Sequence, residues 1–83
     1  MSKKDAVFVD LLRRFSGQHR NVSDKPTAPN FAPTAFAKEE EAKKHRLKQP
    51  ELVQAMRNLF AADKIGIHEY GRPSRPYTNL ILK

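Results

Sequence analysis

Between Gln49 and Leu82 the hydrophobic period changes from helical to alternating, and no other feature of the chain restricts its fold as strongly. From Gln49 to Ala62 apolar residues recur at Leu52, Met56, Leu59 and Phe60, the spacing of a helix with one buried side. Ile65-Gly66-Ile67-His68-Glu69-Tyr70 then alternates with the two-residue period of a strand. Gly71-Arg72-Pro73-Ser74-Arg75-Pro76 interrupts it, and Tyr77 to Leu82 alternates again, which predicts a hairpin. Ile65 and Ile67 share one face of the first strand, and Leu80 with Leu82 can meet them from the second, so the hairpin is expected to close a core beside the helix. Arg72 and Arg75 fall at its tip, where Pro73 and Pro76 stiffen the turn and remove backbone donors.

The preceding segments supply the rest of that core. Ser2 can cap a first helix with Asp5 at its third position, and Phe8, Leu11, Leu12 and Phe15 form a stripe at helical spacing that Gly17 is expected to end as a C-terminal cap. Asn21, Ser23, Asp24, Pro26, Pro29 and Asn30 make residues 18–32 a loop too long for a simple turn, which either packs around the core or stays mobile; Asp24 is expected to cap or stabilise it. Pro33 suits the first turn of a second helix, with Phe36 as its inward anchor. That helix continues into Glu39-Glu40-Glu41 and Lys43-Lys44, where Glu39 with Lys43 and Glu40 with Lys44 stand four apart, each pair stabilising a helix by about 0.2–0.5 kcal/mol. From His45 to Lys48 the chain turns through Leu47, with room for a short strand, into the third helix, whose first turn tolerates Pro50.

At 83 residues the chain allows one small domain. The expected fold is α+β, a small winged helix-turn-helix of three helices with a C-terminal β-hairpin wing, residues 1–83 forming one domain with loop 18–32 inserted between the first and second helices. Without cysteine there is neither a disulfide framework nor a thiolate metal site. No apolar run is long enough for a signal peptide or a membrane span, so the expectation is a cytoplasmic protein without membrane contact. His19, His45 and His68 fall on different elements and lack the spacing of a local metal site, and Ser23-Asp24 forms no nucleophilic triad with them. The chain is therefore expected not to be an enzyme and to use neither metal nor cofactor.

A net charge of +7 favours encounter with polyanions. On the third helix Gln54, Arg57 and Asn58 stand opposite the apolar stripe, where they can donate to phosphates or read base edges in a major groove. Lys43, Lys44, Arg46 and Lys48 approach that helix, and Arg72 and Arg75 extend the candidate DNA surface onto the wing.

Arg20-Asn21-Val22-Ser23, Asn30-Phe31-Ala32-Pro33, Met56 with Leu59-Phe60-Ala61-Ala62, Lys64-Ile65, and Tyr70-Gly71 before Pro73-Ser74-Arg75 follow one order. In that order the chain, from about Val7 to Leu82, resembles the C-terminal winged-helix segment of RepA-like, RecA-fold ATPases of plasmids and phages. There the segment follows a replicative-helicase-like ATPase core, so the resemblance implies nucleic-acid contact or docking, and an origin in a mobile element. Two positions depart from the pattern: Asp63 replaces the usual glycine after the third helix, and Pro76 stands where the wing tends to stay basic. The resemblance does not carry ATP hydrolysis with it, because the only glycines are Gly17, Gly66 and Gly71 and no phosphate loop can be built from them.

Two functions compete at this level. The first is binding of double-stranded DNA through the third helix, its approach and the wing. The second is a protein-interaction module of a phage or mobile element that regulates or inhibits an ATPase or a host nucleoprotein complex, as anti-CRISPR proteins do, with Val53, Tyr77 and Ile81 as candidates for an exposed patch.

Overall fold

Ser2 accepts a hydrogen bond from the Asp5 N–H at 3.4 Å, and this cap opens α1 (Lys3–Gly17) as its sequence predicts. The computed structural model describes residues 2–72 and 75–83, without the side chains of residues 72 and 75–77. Within them α1 is followed by α2 (Ala32–Ala37), α3 (Glu40–Lys44), α4 (Gln49–Ala61) and an antiparallel pair, β1 (Ile65–Arg72) and β2 (Arg75–Leu82). The architecture is α+β, with α4 packed against α1 and α2 and the hairpin set against α1 and α4.

The core forms where the sequence stripes meet. Phe8, Leu11, Leu12 and Phe15 from α1 and Leu52, Ala55, Met56 and Leu59 from α4 are buried together with Phe36. Phe36 is the centre of the aromatic packing: its ring meets Phe8 edge-on at 4.9 Å and Phe15 at 5.0 Å. Such pairs contribute about 0.5–1.5 kcal/mol each beyond the area they bury.

The helical region between residues 32 and 44 is two helices rather than the single expected one. Glu39 adopts an extended conformation, with ψ of 146°, between α2 and α3. Phe36 and Ala42 are both completely buried. On an unbroken helix, six residues at about 100° each would turn them to different sides, so the break is what lets both face one core. Glu39 then pairs with Arg20 and Glu41 with His45, in place of the expected Glu39–Lys43 and Glu40–Lys44 pairs.

Gly17 does not cap α1; it is the last helical residue, and His19 takes the left-handed position at φ 57°. The same closure recurs at Arg46 after α3 (φ 58°) and at Asp63 after α4 (φ 59°). In each case the following N–H reaches back to a carbonyl in the last turn: Arg20 to Phe15, Leu47 to Ala42 and Lys64 to Leu59, at 2.8, 2.8 and 2.9 Å. These are Schellman closures built on non-glycine residues. Leu47 therefore lies in a turn and forms no short strand. Asp63 occupies the conformation that a glycine would adopt without strain.

The loop from residue 18 packs around the core rather than remaining loose. Val22 and Phe31 are buried, Ser23 bridges to Phe31, and the Ala32 N–H donates to the Ser23 carbonyl at 2.8 Å. The Ser23 hydroxyl, rather than Asp24, accepts from the Lys25 N–H at 3.1 Å and shapes its turn. On its other side the Val22 carbonyl accepts from the Leu80 N–H at 2.8 Å, so the loop lies along the outer edge of β2.

The hairpin register pairs Ile65 with Leu82 and Ile67 with Leu80. Ile65 and Leu80 are buried as expected, but Ile67 is 46% exposed. At that rung Leu80 is covered and Ile67 is not. At a rise of about 3.3 Å per residue each strand is roughly 26 Å long, longer than either short dimension of a molecule measuring 40 × 24 × 23 Å.

Candidate nucleic-acid interface

The turn from α3 into α4 is where the predicted basic residues come together. Lys43 and Lys44 occupy the last turn of α3, where their charge complements the carbonyl end of the helix. Arg46 is the left-handed residue that ends it, and Leu47, half-buried against the core, anchors the turn. Lys48 is the N-cap of α4, its N–H donating to the Glu51 carboxylate at 3.0 Å. The Gln49 side-chain amide donates to the Thr34 hydroxyl at 3.1 Å and ties this end of α4 to α2. Lys43, Lys44, Arg46 and Lys48 are all exposed.

Carboxylates hold three of the cations elsewhere on the surface. Arg14 is held by Asp10 at 3.1 Å, Arg20 by Glu39 at 3.4 Å and Lys83 by Asp63 at 2.5 Å. Among the described residues Lys43, Lys44, Arg46, Lys48 and Arg57 have no carboxylate within ion-pair distance. Their positive charge is left to solvent and to whatever anion approaches. A depression of about 420 Å³ opens between them, floored by Ala37 and Leu47 and bordered by Lys43, Arg46, Lys48 and Gln49.

Along α4 the predicted readers separate. Gln54 and Arg57 are exposed on the outer side of the helix. Asn58 turns inward: its amide donates to the Asp5 carboxylate at 3.4 Å and its carbonyl oxygen accepts from Gln54 at 3.0 Å. Asp5 is only 8% exposed, so Asn58 satisfies a buried polar group between α4 and α1 and is not presented as a base reader. Arg72 and Arg75 are partners at the last rung of the hairpin; their side chains, with Pro73 and Ser74 between them, lie outside the described residues.

The exposed apolar patch also lies elsewhere than expected. Val53 packs partly against the core, Ile81 is half-buried, and the Tyr77 side chain lies outside the described residues. The large apolar residues that do reach solvent are Ile67 and Tyr70. Sequence reasoning passed over Tyr70 with His68, whose shared face follows from their two-residue spacing in β1.

No group of three or more His, Cys, Asp or Glu able to hold a metal ion occurs among the described residues, and no described helix is long and apolar enough to cross a membrane. The histidines are dispersed: His19 in a helix closure, His45 beside Glu41 at 3.2 Å and His68 on β1. No family model matches the chain, and no curated protein or solved structure matches it.

Proposed function

We propose that this chain is a non-catalytic, DNA-binding winged-helix module of the kind found in RepA-like replication ATPases of mobile elements, either as part of such a protein or as a stand-alone relative. The chain order supports the winged-helix reading: α1, the Val22 segment, α2 with α3, then α4 and the hairpin. In a winged helix a strand between the first two helices joins the edge of the wing, and the Leu80 N–H bonded to the Val22 carbonyl occupies that place. On this reading α4 is the recognition helix, with Gln54 and Arg57 toward the major groove, while Lys43, Lys44, Arg46 and Lys48 contact the flanking phosphates.

The observation that carries the proposal is Arg46. A non-glycine residue in the left-handed region costs about 1 kcal/mol, and here it holds an exposed guanidinium within the unpaired basic turn. Arg46→Gly therefore separates function from folding. The test is a titration of a fluorescent DNA duplex over a range of salt. Four phosphate contacts give a slope of log K against log salt of roughly −3.6, and each contact removed reduces it by about 0.9. Arg46→Gly should lose that increment while unfolding at an unchanged or higher temperature. An unchanged slope, or no binding of the wild-type protein at low salt, rejects the proposal.

A second reading, docking onto a protein of a host nucleoprotein complex, is favoured by the depression over Ala37 and Leu47, whose basic border suits an acidic segment with an apolar anchor. Binding that requires an apolar residue in an acidic peptide, with no affinity for duplex, would select it.

A further inference from the structure

We infer that the outer hairpin carries a stacking platform for unpaired bases, with single-stranded nucleic acid as its ligand. The site is separate from α4 and the α3–α4 turn, and its ligand differs from a duplex.

The platform is built from His68 and Tyr70. Two residues apart on β1, they fall on one face of the strand, with Asn79 and Tyr77 as their register partners. Their rings lie within 11° of parallel, with centroids 6.5 Å apart. That spacing is the repeat of alternate residues on one strand, at a rise of about 3.3 Å each. Both residues are exposed, Tyr70 to 40%.

Tyr70 is held in position as well as displayed. The Asn21 amide donates to its hydroxyl at 3.4 Å, so the packed loop fixes the ring from the side. Next to it is a recess of about 290 Å³ between the loop and β2, bordered by Ser23, Lys25, Asn30 and Thr78. Lys25 is exposed and has no ion pair among the described residues, and it supplies a cation where a strand stacked on Tyr70 would place its backbone. Hydroxyl and amide groups around the recess can hydrogen-bond a base edge or a sugar. Aromatic faces beside a cationic track are the arrangement by which single strands are held without strong sequence preference. Glu69, the nearest carboxylate in sequence, falls on the opposite face of β1.

The experiment compares labelled oligothymidylate with an oligomer of the same length and charge in which the bases are removed to leave abasic sugars. Wild-type protein should bind the thymidylate at least 5-fold more tightly than the abasic chain, and His68 and Tyr70 ring protons should shift upfield in NMR spectra as bases stack on them. His68→Ala and Tyr70→Leu should each weaken thymidylate binding by about 5- to 150-fold, while Tyr70→Phe, which keeps the ring, stays within about 2-fold. Equal affinity for the two oligomers, or ring protons that do not move at saturation, overturns the inference without reference to any variant. Duplex titrations of the same preparations keep the readings apart: Arg46→Gly should affect the duplex arm, and the two hairpin substitutions the single-strand arm.

Discussion

The helical body and the outer hairpin use similar side chains to opposite ends. In the body, Phe8, Phe36 and Leu52 are completely enclosed, and the apolar stripe of α1 finds its complement on α4. In the hairpin, Ile65 and Leu80 are just as enclosed, but Ile67, across from Leu80 on the same rung, is nearly half exposed, and His68 and Tyr70 beyond it are exposed. The difference is whether a second surface exists to cover the face. Where it does, packing dictates the residue. Where it does not, burial no longer dictates the residue.

Substitutions can break or sharpen that contrast. The largest effect is expected at Phe36→Ala, which removes the ring that Phe8 and Phe15 both meet edge-on and should lower stability by about 3–5 kcal/mol in urea unfolding. A loss below about 1 kcal/mol would mean that the body is as loosely determined as the hairpin. Asn58→Ala comes next. It removes a partner of the buried Asp5 carboxylate and should cost about 1–3 kcal/mol by the same measurement. Duplex affinity should be unchanged, since Asn58 belongs to the body and not to the binding face. Asp63→Gly should raise stability by about 0.5–1 kcal/mol, because it relieves the left-handed strain at the end of α4 and loses only an exposed pair with Lys83. A fall in melting temperature would show that the Lys83 contact matters more than the strain. The smallest effect is expected at Ile67→Thr, within about 0.5 kcal/mol of wild type; a loss above about 1.5 kcal/mol would place that rung with the body after all.

The elements that sequence made legible are those with their own period. α1, α4 and both strands follow from their spacing alone, and Ser2 with Asp5 marked the start of α1. What periodicity does not contain is depth. It assigned Ile67 to the side of β1 that Ile65 shares, but could not show that Leu80 across from it is covered while Ile67 is open. Nor does local propensity reveal the break at Glu39, since the charged run favours continuous helix; the break follows from Phe36 and Ala42 sharing one core. Gly17 was the natural candidate for a left-handed cap, yet His19 takes that role because α1 continues far enough to set Arg20 over the Phe15 ring, 3.9 Å from its centroid. In the candidate interface the cations could be read directly as charge. Asn58 could not, because its partner Asp5 lies 53 residues away in sequence.

The preceding loop holds the hairpin at two heights, through the Leu80 N–H on the Val22 carbonyl and, further out, the Asn21 amide on the Tyr70 hydroxyl. Adding one residue to each strand beyond the His68–Asn79 rung would preserve the pairing of Ile65 with Leu82 and of Ile67 with Leu80, and therefore the seat of the hairpin in the core. Such an insertion would turn every more distal side chain to the other face of the ribbon; two residues per strand would restore the original faces about 6.6 Å further out. The arm can thus be lengthened in steps of two rungs with its seat in the core kept, while Tyr70 would move out of reach of the Asn21 amide.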